Sequence, residues 1–164
     1  CLAGAVVGVY GVTIEKFVIL AVFLPIIASQ GGNAGMQTVT VIVRDMALGE
    51  LSPGDGRKAL FKELLLGLLI GTIIGLIVGV VGYLIAPEFG IPVDISWILG
   101  LVVGTAMVLN LLAAALFGVL IPFALKFFRL DPALGSSILI TTVTDVAGFF
   151  FLLALAKWIL VSEA

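Results

Sequence analysis

Long apolar segments recur along the whole chain, and they constrain its fold more than any other feature. Runs of more than about 18 apolar residues are long enough to cross a bilayer as helices. They are rich in Leu, Gly and Ala at helical spacing and lack the alternation of a strand. With 62% of residues hydrophobic and 11% charged, the composition lies far outside that of soluble domains. We therefore predict an all-α integral membrane protein.

We expect five membrane-spanning helices joined by short polar links. The first is expected to be truncated at its start, because residues 1–14 would reach only about 21 Å as a helix, against a hydrocarbon core of about 30 Å. Five spans place the two termini on opposite sides of the membrane. The predicted spans are residues 1–14, 17–43, 64–86, 95–125 and 134–160.

Positive charge in the links predicts the orientation. Cytoplasmic links are enriched in Lys and Arg, and the link between the third and fourth spans contains neither. We therefore expect a multi-pass protein of the plasma membrane with a cytoplasmic N-terminus and an extracytoplasmic C-terminus. The basic residues that set this orientation are Arg44, Arg57, Lys58, Lys62, Lys126 and Arg129.

The link between the second and third spans is expected to be a surface helix and turn, with the turn at Pro53. Four acidic residues lie in it, Asp45, Glu50, Asp55 and Glu63. They could bind a peripheral cation, although we favour solvated charge as the interpretation.

Glycines at every fourth residue of the third span predict close packing against another helix. Similar pairs in the first and fourth spans indicate a compact bundle. Asn110, an isolated polar residue of the fourth span, is expected to form a helix-to-helix hydrogen bond rather than to bind an ion. The glycines are Gly67, Gly71, Gly75 and Gly79, with the pairs Gly4 and Gly8, and Gly100 and Gly104.

The second span has a polar stripe at its centre. Ser29, Asn33 and Gln37 are spaced at i, i+4 and i+8, and Thr40 and Arg44 continue the same face. Unsatisfied amides near the bilayer midplane are costly, so water or protein must meet them. The glycines between these residues would permit a local unwinding, as in the discontinuous helices that line ion paths.

The fifth span repeats the pattern with a charge in it: Ser137, Thr141 and Asp145 at i, i+4 and i+8, then Gly148. An isolated carboxylate at mid-span disfavours insertion by about 2.5 to 3.5 kcal/mol on translocon scales. No basic residue lies at that depth, so a bound cation is the simplest partner. A protonated Asp145 bonded within the bundle is the alternative.

The available ligands restrict the ion. The chain has no histidine and one cysteine, Cys1, so a soft-metal site is not expected. Oxygen-only ligands indicate Mg²⁺, Ca²⁺, Mn²⁺ or an alkali ion. A symmetric dimer would bring two Asp145 carboxylates to one axis and match the charge of a divalent cation. Mg²⁺ gives up its waters reluctantly, so a wide site lined by Asp145, Thr141, Asn33 and backbone carbonyls could hold it with its hydration shell.

Three segments carry a resemblance to a known family. "PIIASQGGNAGMQTVTVIVRDMALGE", "KELLLGLLIG" and "DPALGSSILITTVTDVAGFF" resemble the membrane domain of the MgtE family of magnesium channels and transporters. The most specific parts are the Gly-Gly-Asn-x-Gly-x-Gln stretch that begins at Gly31 and the Thr-x-x-Asp-Val stretch that contains Asp145.

The resemblance implies a homodimer with five helices per subunit and a pore on the two-fold axis. It also implies that residues 1–164 are the pore domain. Family members usually carry cytosolic N-terminal and CBS regulatory domains, and we expect this chain to be either truncated or a member that lacks them. Asp145, Thr141, Asn33 and Gly32 would then bind the metal. The pore lining would add Ser29, Gly31, Gln37, Ser137 and Gly148.

Two positions depart from the family pattern. Ile138 stands where a proline is common, seven residues before Asp145, and Ala115 stands where the fourth helix commonly has an asparagine. A different ion preference therefore stays open.

The leading hypothesis is a passive channel that conducts hydrated Mg²⁺ into the cytoplasm. A Na⁺-coupled Mg²⁺ carrier, a divalent cation transporter of other preference and a membrane anchor without transport are the alternatives. We expect no enzymatic activity, because the sequence has no histidine and offers no nucleophile with a base partner. The expected partners are a second copy, membrane lipids, Mg²⁺ and any regulatory domains, and no nucleic acid.

Overall fold

The computed structural model describes residues 2–51 and 55–160, except for the side chain of Leu134. Within these ranges the secondary structure is helical and contains no strand, which confirms the all-α prediction. A 3₁₀ turn, Ala86–Phe89, extends the fourth helix, and a π-helical turn, Ala156–Leu160, extends the last. The α-helices are α1 Leu2–Val9, α2 Gly11–Lys16, α3 Leu20–Ala47, α4 Gly56–Ile85, α5 Val93–Phe127 and α6 Pro132–Leu155.

Among the described residues, three helical segments are both long and apolar enough to cross a membrane: Gly56–Phe89, Val93–Phe127 and Gly135–Leu160. With 28 residues, α3 reaches about 42 Å at 1.5 Å per residue, but it is the least hydrophobic of the four long helices. The helices α1 and α2 are short and are separated at Tyr10. Five membrane-spanning helices therefore remain a prediction.

The start of α4 differs from the predicted span. The helix begins at Gly56 rather than near residue 64, because Arg57, Lys58 and Lys62 lower the hydropathy of its first turns without breaking the helix. Lys and Arg are good helix formers. Hydropathy thus gives the start of the apolar part, not the start of the helix. The predicted turn at Pro53 lies outside the described residues.

The core of the bundle is built around α5, which packs against α3, α4 and α6. Large side chains that are almost or fully buried meet there from three helices. The outer face of α4, by contrast, exposes a row of large apolar side chains, as expected of a helix in contact with lipid. The core residues include Phe23 and Ile27 of α3, Leu99, Met107 and Leu111 of α5, and Leu152 and Leu153 of α6.

The contact between α4 and α5 is made backbone to backbone at glycines. A Cβ added to Gly75 would lie 2.7 Å from the carbonyl oxygen of Gly104, and one added to Gly79 would lie 2.7 Å from that of Gly100. The predicted glycine packing of the third span is confirmed. In α1 the prediction is wrong for this chain, since a Cβ on Gly4 or Gly8 would have no neighbour within 4 Å.

The expected unwinding of the second span is also wrong. From Leu20 to Ala47, α3 is α-helical without interruption, including residues 31–35. The glycines serve contact instead: a Cβ on Gly35 would lie 2.5 Å from Cγ1 of Ile140 in α6. The polar residues at the centre of α3 therefore lie on an unbroken helix.

Candidate functional site

One face of α3 is polar and exposed along most of its length. Residues four apart on a helix share a face, and the structure turns this face away from the core. The prediction that these polar residues share one face of the helix is thus confirmed. Its exposed residues are Ser29, Asn33, Gln37, Thr40 and Arg44.

The matching face of α6 is polar as well. Thr141 is exposed, while Ser137 and Asp145 are partly exposed. The flank of this stripe is anchored in the bundle by Ile140 and Thr144, both fully buried. The hydroxyl and carboxylate groups of this stripe therefore lie on the outside of the single chain.

The two polar faces are neighbours at Gly32. A Cβ added to Gly32 would lie 3.9 Å from Cγ2 of Thr141 and 3.9 Å from Oγ1 of Thr144. Because glycine lacks a side chain, α3 approaches α6 closely at this level, and the adjacent Asn33 is exposed beside it. The structure thus brings Gly32 next to Thr141, and Asn33 follows Gly32 directly in the chain; all three are predicted metal-binding residues.

The threonine hydroxyls on α6 donate their hydrogens to the helix itself. Thr141 Oγ1 donates to Ser137 O at 3.1 Å, Thr142 Oγ1 to Ile138 O at 2.8 Å, and Thr144 Oγ1 to Ile140 O at 2.9 Å. A hydroxyl that donates in this way keeps its lone pairs available as acceptors. For the two exposed hydroxyls, Thr141 and Thr142, those lone pairs are open to water or a cation.

Asp145 has no hydrogen-bond or ion-pair partner among the residues that the structure describes. The same part of the chain contains no group of three or more His, Cys, Asp or Glu residues that could hold a metal ion. A single chain therefore offers one carboxylate to a cation at this place, and the remaining ligands would be neutral oxygens and water.

Two of the predicted lining glycines are buried behind this surface. Gly31 and Gly148 both pack against the side chain of Asn110, which is fully buried in α5. A Cβ on Gly31 would lie 2.9 Å from Cγ of Asn110, and one on Gly148 would lie 2.8 Å from its Nδ2. Asn110 Nδ2 donates to Ile27 O of α3 at 2.8 Å, so the predicted helix-to-helix hydrogen bond is confirmed.

Asn110 lies against glycines of both α3 and α6, and its contact with Gly31 can be tested with a double-mutant cycle. We expect Gly31→Ala to destabilise the protein by about 1–3 kcal/mol, the usual cost of overpacking. Asn110→Ala in the same chain should recover much of that loss, because it removes the amide that the new methyl group meets. The free energy of unfolding of the four forms in detergent measures the coupling. Strictly additive effects would show that the methyl group added at position 31 does not meet the Asn110 amide.

One buried acidic residue was not recognised as such from the sequence. Glu63 was assigned to a solvated link, yet it is buried and accepts a hydrogen bond from Thr38 Oγ1 to its Oε2 at 2.9 Å. The signal was present: Glu63 lies four residues before Gly67 and so continues the glycine face of α4 that packs inward.

The other acidic residues of that link do not gather around an ion. Asp45 pairs with Arg44 at 2.8 Å, and Asp55 lies 3.7 Å from Lys58. Glu50 is exposed. Solvated and locally paired charge, rather than a shared peripheral cation site, describes these three residues.

Long apolar helices, two of which carry a carboxylate, amides and hydroxyls, are typical of membrane transport proteins. Such polar groups in membrane helices mark ion and substrate pathways. The profile of the MgtE family, described as divalent cation transporter, matches residues 24–155. The chain therefore belongs to the MgtE family, and the family assignment made from the sequence is confirmed.

Three relatives carry the name magnesium transporter MgtE. The protein of Thermus thermophilus is 36% identical over 147 residues, which are 90% of this chain and 31% of the relative. That of Bacillus subtilis is 26% identical, with 94% of this chain and 33% of the relative covered. That of Enterococcus faecalis is 31% identical, with 84% and 28% covered. The chain spans about a third of the length of the curated relatives that it matches.

Proposed function

We propose that this chain is the pore-forming part of a magnesium channel, in which Mg²⁺ moves along the joined polar faces of α3 and α6. The observation that carries the proposal is Asp145, a mid-helix carboxylate with no partner among the described residues. It lies on the same helix face as Thr141, which approaches α3 at Gly32. The name that the relatives share, magnesium transporter, supports Mg²⁺ as the transported ion.

The chemistry of the surface suits a hydrated hard cation. It offers one carboxylate, amides and hydroxyl lone pairs, and no sulfur or imidazole ligand. Mg²⁺ keeps several waters when bound and needs few direct protein ligands. Asp145, Thr141 and Asn33 would therefore contact its hydration shell, together with the backbone at Gly32. Exposed Ser29 and Gln37 and partly exposed Ser137 extend the same lining along both helices.

A homodimer would complete the pathway. In the single chain both polar faces are exposed, which is unfavourable in lipid. Two copies related by a two-fold axis would enclose these faces and set two Asp145 carboxylates opposite each other. Native mass measurement in mild detergent and in lipid nanodiscs should give twice the chain mass. A monomer under both conditions would contradict this arrangement.

A passive pore is favoured over a coupled carrier by the continuity of α3. A hinge in a carrier would need a broken or flexible segment at the ion. Residues 31–35 are instead helical, with Gly31 packed closely against α5 and Gly35 against α6. An inside-negative potential of 100 mV would drive a divalent cation inward through such a pore with about 4.6 kcal/mol. Purified protein in planar bilayers should give unitary Mg²⁺ currents. Electroneutral flux that requires Na⁺ on the opposite side would show a carrier instead.

The relatives are about three times the length of the segment that they share with this chain. We propose that any cytosolic regulatory domains joined to this chain would control the pore rather than form part of it. The pore function is testable without them, because conduction depends on the polar faces of α3 and α6.

A further inference from the structure

Glu63 is a second acidic residue that the proposed pore does not use. Its side chain lies between α3 and α4 and is 9% exposed. One carboxylate oxygen, Oε2, accepts the hydrogen bond from Thr38, which is 7% exposed. Among the described residues, no Lys or Arg pairs with it and no donor reaches its other oxygen. A buried carboxylate without a cationic partner is costly in its charged form, and a cation supplied from outside the chain would offset that cost.

The space beside Glu63 is large enough for a hydrated ion. A cavity of about 240 Å³ is lined by Glu63, Thr38, Gln37 and Lys62, with Leu66 and Leu111 on its apolar side. Six waters occupy about 180 Å³ at their share of liquid volume. The cavity can therefore hold a divalent cation with most of its hydration shell, in contact with a carboxylate, a hydroxyl and an amide.

Gln37 connects this cavity to the polar face of α3. It belongs to the exposed stripe that contains Asn33, and it also lines the cavity. Gln37 lies about 6 Å along the helix axis from Asn33, toward the end of α3 that carries Arg44. A cation that leaves the level of Asn33 in that direction reaches Gln37 next.

We propose that Glu63, Thr38 and Gln37 form a second binding site for a hydrated divalent cation, one per chain and separate from Asp145. The identity of the ion at this site rests on the proposed function. Thr38 holds one oxygen of Glu63 in place and leaves the other for the hydration shell. Lys62 opposes binding by its charge, but it is exposed and can extend into water.

Mn²⁺ serves as the probe, because it shares the oxygen-ligand preference of Mg²⁺ and can be counted by its paramagnetic signal. The experiment uses the full chain in nanodiscs of neutral lipid. The Asp145→Asn variant should retain about one bound Mn²⁺ per chain, and adding Glu63→Gln should remove it. Adding Glu50→Gln instead, the same chemical change at an exposed position, should leave the bound Mn²⁺ in place.

Two further variants separate a cation site from a structural contact. Glu63→Gln keeps an oxygen that can accept the Thr38 hydroxyl, so its unfolding midpoint should match that of the parent. Thr38→Val should weaken Mn²⁺ binding at this site by at least about 10-fold, the usual effect of losing a group that orients a ligand. Lys62→Gln should bind Mn²⁺ as tightly as the parent or more tightly.

The proposal is overturned if Asp145→Asn alone binds no Mn²⁺, or if Glu63→Gln leaves its binding unchanged. Failure of the pore proposal gives a different result, in which Asp145→Asn transports Mg²⁺ as fast as the parent. The two proposals can therefore fail separately.

Discussion

Mg²⁺ influx into proteoliposomes should fall to background when Asp145 is replaced by asparagine. The substitution keeps the size of the side chain and removes the charge, and in a two-fold dimer it removes two charges from one axis. The full charge of a carboxylate attracts a divalent cation far more strongly than the dipole of an amide does. Flux is measured with a Mg²⁺-sensitive dye under an inside-negative potential.

The matched control is Asp94→Asn, the same change at an exposed residue in the first turn of α5. It should leave flux within about twofold of the parent, since an exposed charge is screened by salt. Asp145→Glu is the finer test, because it keeps the charge but moves it by one methylene. We expect intermediate flux from it. Equal flux from Asp145→Asn and the parent would remove Asp145 from the pathway.

Gly79→Ala should destabilise the fold strongly for so small a change. The new methyl carbon would lie 2.7 Å from the carbonyl oxygen of Gly100, and backbone cannot move aside as a flexible side chain can. Overpacking of this kind costs about 1–3 kcal/mol, against a gain of up to about 1 kcal/mol from replacing glycine by alanine within a helix. Because the neighbour is backbone, we expect a cost in the upper part of that range and a net loss of about 2 kcal/mol. Unfolding by sodium dodecyl sulfate, followed by circular dichroism, measures the net effect.

Gly8→Ala is the control for that experiment. Gly8 lies inside α1 and has open space around it, so the propensity gain should act alone and stability should be unchanged or slightly higher. The sign of the effect thus differs between the two variants. Equal shifts from both would show that α4 and α5 are not in backbone contact in the membrane.

Helical periodicity was sufficient to predict the two polar stripes and the glycine face of α4. These features depend only on spacing along one helix, and the structure puts the polar side chains of both stripes on the face that their spacing requires. Gly75 and Gly79 meet Gly104 and Gly100 for the same reason. The sequence could not show which helix a glycine faces, and so Gly4 and Gly8 were assigned a packing role that they lack within this chain.

The misjudged residues are those whose environment is set by a partner far away in sequence. Glu63 is buried because α4 brings it to Thr38, 25 positions earlier. Gly31 and Gly148 have the spacing of lining residues, yet both lie against Asn110 from α5. The continuity of α3 has the same origin, since its glycines are held by Asn110 and Ile140 rather than left open to unwinding.

The central claim is that a divalent cation binds at Asp145 between two copies of the chain. An anomalous difference map from crystals of the protein grown with Mn²⁺ tests it most directly. We predict a peak on the two-fold axis, about 4–5 Å from the Asp145 carboxylate oxygens, the distance expected through one water. Mn²⁺ peaks only at exposed residues such as Asp94, with none near Asp145, would contradict the claim.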